Sequence, residues 1–286
     1  MDERRSDLKR IIMDTKTLPT LPGVITKLNA LSENDKASVQ EMARIVASDQ
    51  VLSARILRLA NSPSYGFYRV STISNAMILL GVNVVKSLAL SSSIFEIMEK
   101  NSIGLWEHSL GVATAANITA KKLGIPEVEE IATAGLLHDI GKVIIGLKCT
   151  DEMLDIRRVI ETDELYILEA ERQILDTDHA EVGGWLAKSW YLPDKLSEPI
   201  SYHHNLIKSD SHRVKTAVVH FADVLIKASA FGDSGDPYVP MIDPLAWEVL
   251  KLDEKLVEDI VEELEDKLIE VKNFSLEMQI ADATEA

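Results

Sequence analysis

The chain has 286 residues, 46% of them hydrophobic, with a formal net charge of −16 and a single cysteine. Such a composition supports a packed core and excludes a largely disordered chain, while the one cysteine, Cys149, excludes an intrachain disulfide framework and points to a reducing compartment. Residues 252–286 carry twelve acids against three lysines, and no large basic field exists elsewhere to collect phosphate backbones, so non-specific nucleic-acid binding is disfavoured.

The opening Met-Asp-Glu-Arg-Arg lacks the pattern of a signal peptide. The apolar stretch from Met77 to Leu90 is interrupted by Gly81, Asn83 and Lys86 and is too short and polar to span a bilayer. The expectation is a soluble, cytoplasmic protein.

The periodicity predicts helices nearly throughout. Residues 3–14 place Leu8, Ile11 and Ile12 on one face, and Pro19 and Pro22 then break the chain. A short helix from Gly23 carries Val24, Ile25, Leu28 and Leu31. Ser38 and Glu41 have capping-box spacing ahead of Met42, Ile45 and Val46. Asp49 is placed to cap a helix carrying Leu52, Ile56 and Leu59, and Asn61 to Gly66 reads as a loop. That loop offers polar groups and an aromatic for a pocket or partner, against a plain turn held by Asn61 and Ser62. Helical runs follow over 73–80 and 84–98. A second region starts near 102, where Leu105, His108, Val112 and Ala115 share one stripe. Gly124-Ile-Pro126 ends that helix, and the next, Ile131 to Asp139, is expected to stop at Gly141. One or two helices fill 154–175, and others run over 179–190, from Pro193 to His204, and over 214–230. Residues 232–244 read as a loop, and Asp253 to Val271 as an acidic amphipathic helix; the last dozen residues show no packing pattern. The fold class is all-α.

The histidines carry the chemistry. His138-Asp139 lies in Gly-Leu-Leu-His-Asp-Ile-Gly-Lys, with His108 upstream and with His179, the pair His203-His204 and Asp223 downstream. Burying five imidazoles in apolar helical contexts without partners is costly, and a metal would satisfy several at once. Such N and O donors, with no thiolate, suit one or two divalent ions such as Fe, Mn, Ni or Zn. The alternative is a hydrogen-bonded polar core, in which Asp223 pairs with a nearby cation or hydroxyl. Adjacent helical residues diverge by about 100°, so His203 and His204 are expected to flank a two-metal centre. His220 reads as a competitor or supporting partner of Asp223, and His212 as a surface residue. Two metals would activate water against a phosphoester; Asp139 and Lys142 are then the candidate catalytic residues. Otherwise Lys142 is expected to face solvent at a helix end, where the helix dipole favours a cation.

The order His108, His138-Asp139, Asp223 resembles the HD superfamily of metal-dependent phosphohydrolases, and His179 with His203-His204 looks like the extra ligands of its HD-GYP branch, which hydrolyses cyclic di-GMP. The Gly-Tyr-Pro element of that branch is missing after His204, where Asn205-Leu-Ile-Lys-Ser-Asp follows, and this argues against cyclic di-GMP hydrolysis. Leu18-Pro-Thr-Leu-Pro22, Asp49 to Ser62 (with Gln50 where a proline is usual) and Ile73 to Gly81 resemble the HDOD domain over roughly 18–225. That resemblance implies a bacterial signalling module: an N-terminal helical bundle over 1–100, an HD-like metal-site half over 101–232, and a C-terminal loop and acidic helix over 233–286. It implies regulation through a protein partner; the retained ligands leave a nucleotide ligand, and phosphohydrolase activity, as the alternative. Many members have lost HD ligands, whereas this chain keeps them. Oligomeric state is left open.

Overall fold

A computed structural model describes residues 2–13, 27, 38–48, 50–65, 70–85, 87–89 and 104–285. The short helix expected from Gly23, the cap at Asp49 and the run from 90 to 98 lie outside them. No strand occurs among the described residues. The fold is all-α, as the periodicity predicts.

The first part contains α1 (Asp2–Met13), α2 (Val39–Ala47), α3 (Gln50–Ala60), a 3₁₀ turn (Pro63–Tyr65) and α4 (Ile73–Leu80), with further helical residues at 82–85 and 87–89. The capping box forms as read: Ser38 Oγ accepts from the Glu41 amide at 3.2 Å, and the Ser38 amide donates to Glu41 Oε2 at 2.9 Å.

The second part contains α5 (Leu105–Lys122), α6 (Val128–Leu137), α7 (Ile140–Lys148), α8 (Thr150–Asp163), α9 (Ile167–Leu175), α10 (His179–Ser189), α11 (Asp194–Tyr202), a 3₁₀ turn (Leu206–Lys208), α12 (Arg213–Ala228), α13 (Pro244–Leu250) and α14 (Glu254–Glu285). Helix α5 is the axis. It packs on α6, α12 and α14 and on the Pro63–Tyr65 turn, and from Leu105 to Ala120 nearly every side chain is buried. Its many Ala, Gly, Ser and Thr residues let neighbours approach closely on several sides. At the α5–α6 crossing, a Cβ on Gly135 would lie 3.2 Å from the Val112 carbonyl oxygen.

Asn61 to Tyr65 is a joint rather than an open pocket. Asn61 exchanges two hydrogen bonds with the Val70 backbone, at 2.9 and 2.8 Å. Ser64 then pairs with Thr114 of α5 at 2.9 Å, and Tyr65 Oη with Thr133 of α6 at 2.8 Å. These buried polar contacts fix the first part against the two helices that lead to His108 and His138. The apolar core runs without interruption from Ile56 and Leu59, through Leu110 and Ile131, to Phe221 and Ile260.

The acidic helix packs on its own chain. Ile260, Leu264, Leu268 and Val271 are buried, each worth about 1.5–3 kcal/mol against full exposure. Lys122–Glu263 at 2.9 Å and Lys272–Glu107 at 2.6 Å flank that stripe. The helix runs on to Glu285, past the end of the apolar pattern read from the sequence.

Candidate metal centre

Five segments deliver the seven predicted residues to one place. His108 sits in the first turn of α5, and His138-Asp139 forms the break between α6 and α7. His179 opens α10, His203 and His204 directly follow α11, and Asp223 lies on α12. All are buried except His204, which is half-buried. Gly141 lies inside α7 instead of stopping the preceding helix. It is required for another reason: a Cβ there would stand 1.9 Å from the His179 carbonyl oxygen and 2.8 Å from the Gly183 amide nitrogen. Only glycine lets α10 come close enough to place His179 beside Asp139.

The donors lie on two sides of one carboxylate, that of Asp139. On one side, His108 Nε2 is 3.1 Å from Asp223 Oδ1 and 3.7 Å from Asp139 Oδ2. His138 Nε2 is 3.3 Å from Asp139 Oδ2 and 3.5 Å from Asp223 Oδ1. On the other side, Asp139 Oδ1 is 3.3 Å from His179 Nε2 and 3.9 Å from His203 Nε2, and His179 Nε2 is 3.0 Å from His204 Nε2. Ligand atoms of His108, His138 and Asp223, of His138, Asp139 and His203, and of His179, His203 and His204 form three groups, each within 4.8 Å. His203 and His204 therefore join the same group, with ring centroids 4.1 Å apart.

The imidazoles are aimed by their other nitrogens. His138 and His203 use one device twice. Each lies just past a helix C-terminus and donates from Nδ1 to the carbonyl three residues back, Gly135 at 2.7 Å and Ile200 at 2.9 Å. Those carbonyls lack helical partners, and a carbonyl can only accept, so Nδ1 carries the proton and Nε2 points inward. His179 Nδ1 lies 2.6 Å from Glu171 Oε2, which also accepts from the His179 amide at 2.9 Å. A carboxylate behind an imidazole fixes its tautomer and orientation. His220 supports the centre from behind: its Nδ1 donates to the His203 carbonyl at 2.8 Å, and its Nε2 accepts from the Asp243 amide at 2.9 Å. His212 stands apart, half-buried at the start of α12.

Two buried lysines balance the carboxylates. Lys142, expected at the surface, is 6% exposed and donates to Asp139 Oδ2 at 2.6 Å and to the Ser234 carbonyl at 2.9 Å. The helix turn that follows the His-Asp break points it inward, and the loop after α12 covers it. Lys227 donates to Asp223 Oδ2 at 2.9 Å. Burial opposes the charge of Asp139, but His138, Lys142 and His179 outweigh it and hold its pKa well below the usual range. For Asp223, burial is likewise outweighed by Lys227, His108 and His138. Burial also works against charged His138, yet Asp139 and Asp223 lift it to about 9. Burial and neighbouring imidazoles depress His203 and His204; with the His203 Nδ1 proton given to Ile200, the Nε2 lone pair of His203 is free at neutral pH.

The residues fit a divalent transition metal. His203 Nε2 is buried without a hydrogen-bond partner, an arrangement that costs about 1–3 kcal/mol, and His138 Nε2 faces only the carboxylates of Asp139 at 3.3 Å and Asp223 at 3.5 Å. Both point among further imidazole and carboxylate donors, the set that Fe, Mn, Ni and Zn favour. Reading the sequence missed Glu171, Lys227 and Ser234. Glu171 shares the buried stripe of Ile167, Ala170 and Leu175, and an acid at such a position is the signal that could have found it. Asp223 and Lys227 stand at i, i+4 spacing, which pairs side chains on a helix.

Comparisons with known proteins bear on the family and the fold. The HDOD domain family model matches residues 18–206. An HDOD domain protein of unknown function from Geobacter sulfurreducens superposes with a TM-score of 0.73 at 27% identity, covering 96% of this chain and 99% of that one. A candidate phosphohydrolase from Shewanella amazonensis SB2B has a TM-score of 0.66 at 23% identity over 92% and 97% of the two chains. A candidate signal transduction protein from Marinobacter aquaeolei VT8 has a TM-score of 0.73 at 21% identity over 96% and 66%. An uncharacterized protein of Treponema pallidum (strain Nichols) is 24% identical over 227 residues, 77% of this chain; the chain spans 44% of that relative's length. No described helix is long and apolar enough to cross a membrane. With two thirds of its length matched and a full-length fold relative of the same kind, this chain belongs to the HDOD domain family.

Proposed function

We propose that the chain is a cytoplasmic bacterial signal-transduction module that acts through a protein partner and holds a metal centre. The ligands are His108, His138, Asp139, His179, His203, His204 and Asp223, binding one or two ions of Fe, Mn, Ni or Zn, with two favoured by the two-sided placement of Asp139. In this reading residues 1–100 form the N-terminal helical half, 101–232 the metal-site half and 233–286 the C-terminal loop and acidic helix. The ions would supply Lewis acidity toward a bound water or phosphate.

One observation carries the regulatory reading. Lys142 and Lys227, the buried cations nearest the centre, are both committed to its own carboxylates, and Lys142 is further held by Ser234. Among the described residues, no buried lysine beside the centre is left to neutralise a scissile phosphate. The absence of the Gly-Tyr-Pro element after His204 points the same way.

A second reading, a metal-dependent phosphohydrolase acting on a nucleotide, is favoured by the cavity of about 790 Å³ that reaches His204. Assay of the metal-loaded protein against bis(p-nitrophenyl) phosphate and a panel of nucleotides separates the two. The regulatory reading predicts no turnover above that of free metal. Rapid hydrolysis, abolished by Asp139→Ala in a folded protein, would establish the second.

A further inference from the structure

The cavity that reaches His204 has a charge character opposite to the rest of the molecule. Its wall includes Arg5 and Lys9 of α1, Arg172 of α9, Lys188 of α10, and Lys208 of the 3₁₀ turn. Three acids share the wall. Glu181 pairs with Arg5, and Asp178 with Arg172 at 2.8 Å, which leaves Asp176. Lys9, Lys188 and Lys208 make no ion pair among the described residues, so the lining is net positive in a chain of net charge −16. Three exposed lysines converge on a concavity of about 790 Å³, within the range of pockets that enclose drug-sized ligands.

Helix α1 contributes two of these cations from the far end of the sequence. It is seated on α10, where Arg5 Cζ lies 5.9 Å and Lys9 Nζ 5.5 Å from the centre of the Trp185 ring. Cations over an aromatic face are attracted to it, but the Lys9 charge still borders the cavity. An anion bound there would be enclosed by groups from α1, α9, α10 and the segment after α11. His204 also lines the cavity.

We infer that this cavity binds a small phosphorylated anion of nucleotide size, and that α1 is the element whose docking the ligand strengthens. Phosphate suits the wall because each of its oxygens accepts strong charge-assisted hydrogen bonds from Lys and Arg. The inference deepens the proposed function by naming a ligand class and an element that responds to it. It rests on that reading only for the role of His204, because the lysines need no metal.

The test is isothermal titration with adenosine monophosphate, inorganic phosphate and adenosine. It uses the full chain, both metal-loaded and chelator-treated, at fixed ionic strength, together with hydrogen exchange of α1. The monophosphate is expected to bind and adenosine not; Lys9→Glu and Lys188→Glu should each weaken binding about tenfold. Lys255→Glu on α14 should leave binding unchanged, and the ligand should slow amide exchange over residues 2–13. Both substituted lysines are exposed, so the variants are expected to fold. Inorganic phosphate binding as tightly as the monophosphate would show that the phosphate is read without the base and still supports the site. No monophosphate binding, equal binding of adenosine, or indifference to both charge reversals would overturn the inference; unchanged exchange in α1 would overturn its second half. Metal content measured on the same samples reports on the proposed function separately.

Discussion

Asp139 Oδ1 stands 3.3 Å from His179 Nε2, across a helix contact that only Gly141 permits. The other oxygen of Asp139 faces His138 and Lys142. One carboxylate thus faces donors on two sides, and the positions of α7 and α10 decide whether it can.

Gly141→Ala is therefore expected to damage the centre without touching a ligand. Its Cβ would collide with the His179 backbone, and forcing a methyl group into packed backbone costs about 1–3 kcal/mol or more. Thermal unfolding should show the loss, and metal content per chain should fall with it. Normal metal content in the variant would show that α10 has slack.

Glu171→Gln should separate metal affinity from stability. It keeps the shape and a hydrogen bond to His179 Nδ1 but removes the charge behind the imidazole. Loss of such a partner typically lowers metal affinity about 10–100-fold. Competition with a chelator of known affinity measures this, and an unchanged affinity would place Glu171 outside the working centre.

Lys227→Met carries an unusual pair of signs. Lys227 neutralises Asp223 inside the core, so its removal leaves a buried charge short of a partner and should cost the metal-free protein about 3–5 kcal/mol. The freed Oδ2 then becomes a better donor. Added metal should raise the melting temperature of the variant more than that of the parent chain. An equal rise in both would mean that Lys227 does not compete with metal.

The pH dependence follows from His138. Its pKa is raised from 6.5 to about 9, burial being outweighed by Asp139 and Asp223. In the metal-free protein this stabilisation is fully present below pH 6.5 and is lost as pH rises through about 9. Metal must displace that proton. Calorimetry at pH 7.5 in buffers of different ionisation enthalpy should therefore report proton release on metal binding, with affinity rising toward pH 9. No buffer dependence would show that His138 is neutral before metal arrives.

Much of this was legible in the sequence, and the exceptions have physical causes. Helix period placed His108 and Asp223 on apolar stripes, and both are buried. Adjacent His203 and His204 were expected to diverge and flank the centre; just past α11 their rings are tilted 49° to each other, His204 grouping with His179 while His203 also reaches His138 and Asp139. Lys142 read as a surface lysine because its partners are unusual for one: the carboxylate three residues earlier and a carbonyl supplied 92 residues later by Ser234. Gly141 read as a stop because a contact with α10 has no sequence signature. Glu171 stood on an apolar stripe in plain view, but its role depends on His179 returning across the turn between α9 and α10.

The central claim is a metal centre built on these seven residues. Elemental analysis of the purified chain, after reconstitution with Mn or Fe and removal of loose metal, tests it most directly. The account predicts about two ions per chain, the count a shared carboxylate between two donor groups would hold, and loss of most of them in Asp139→Ala. A folded chain that retains no transition metal would contradict it, leaving the imidazoles as a hydrogen-bonded polar core.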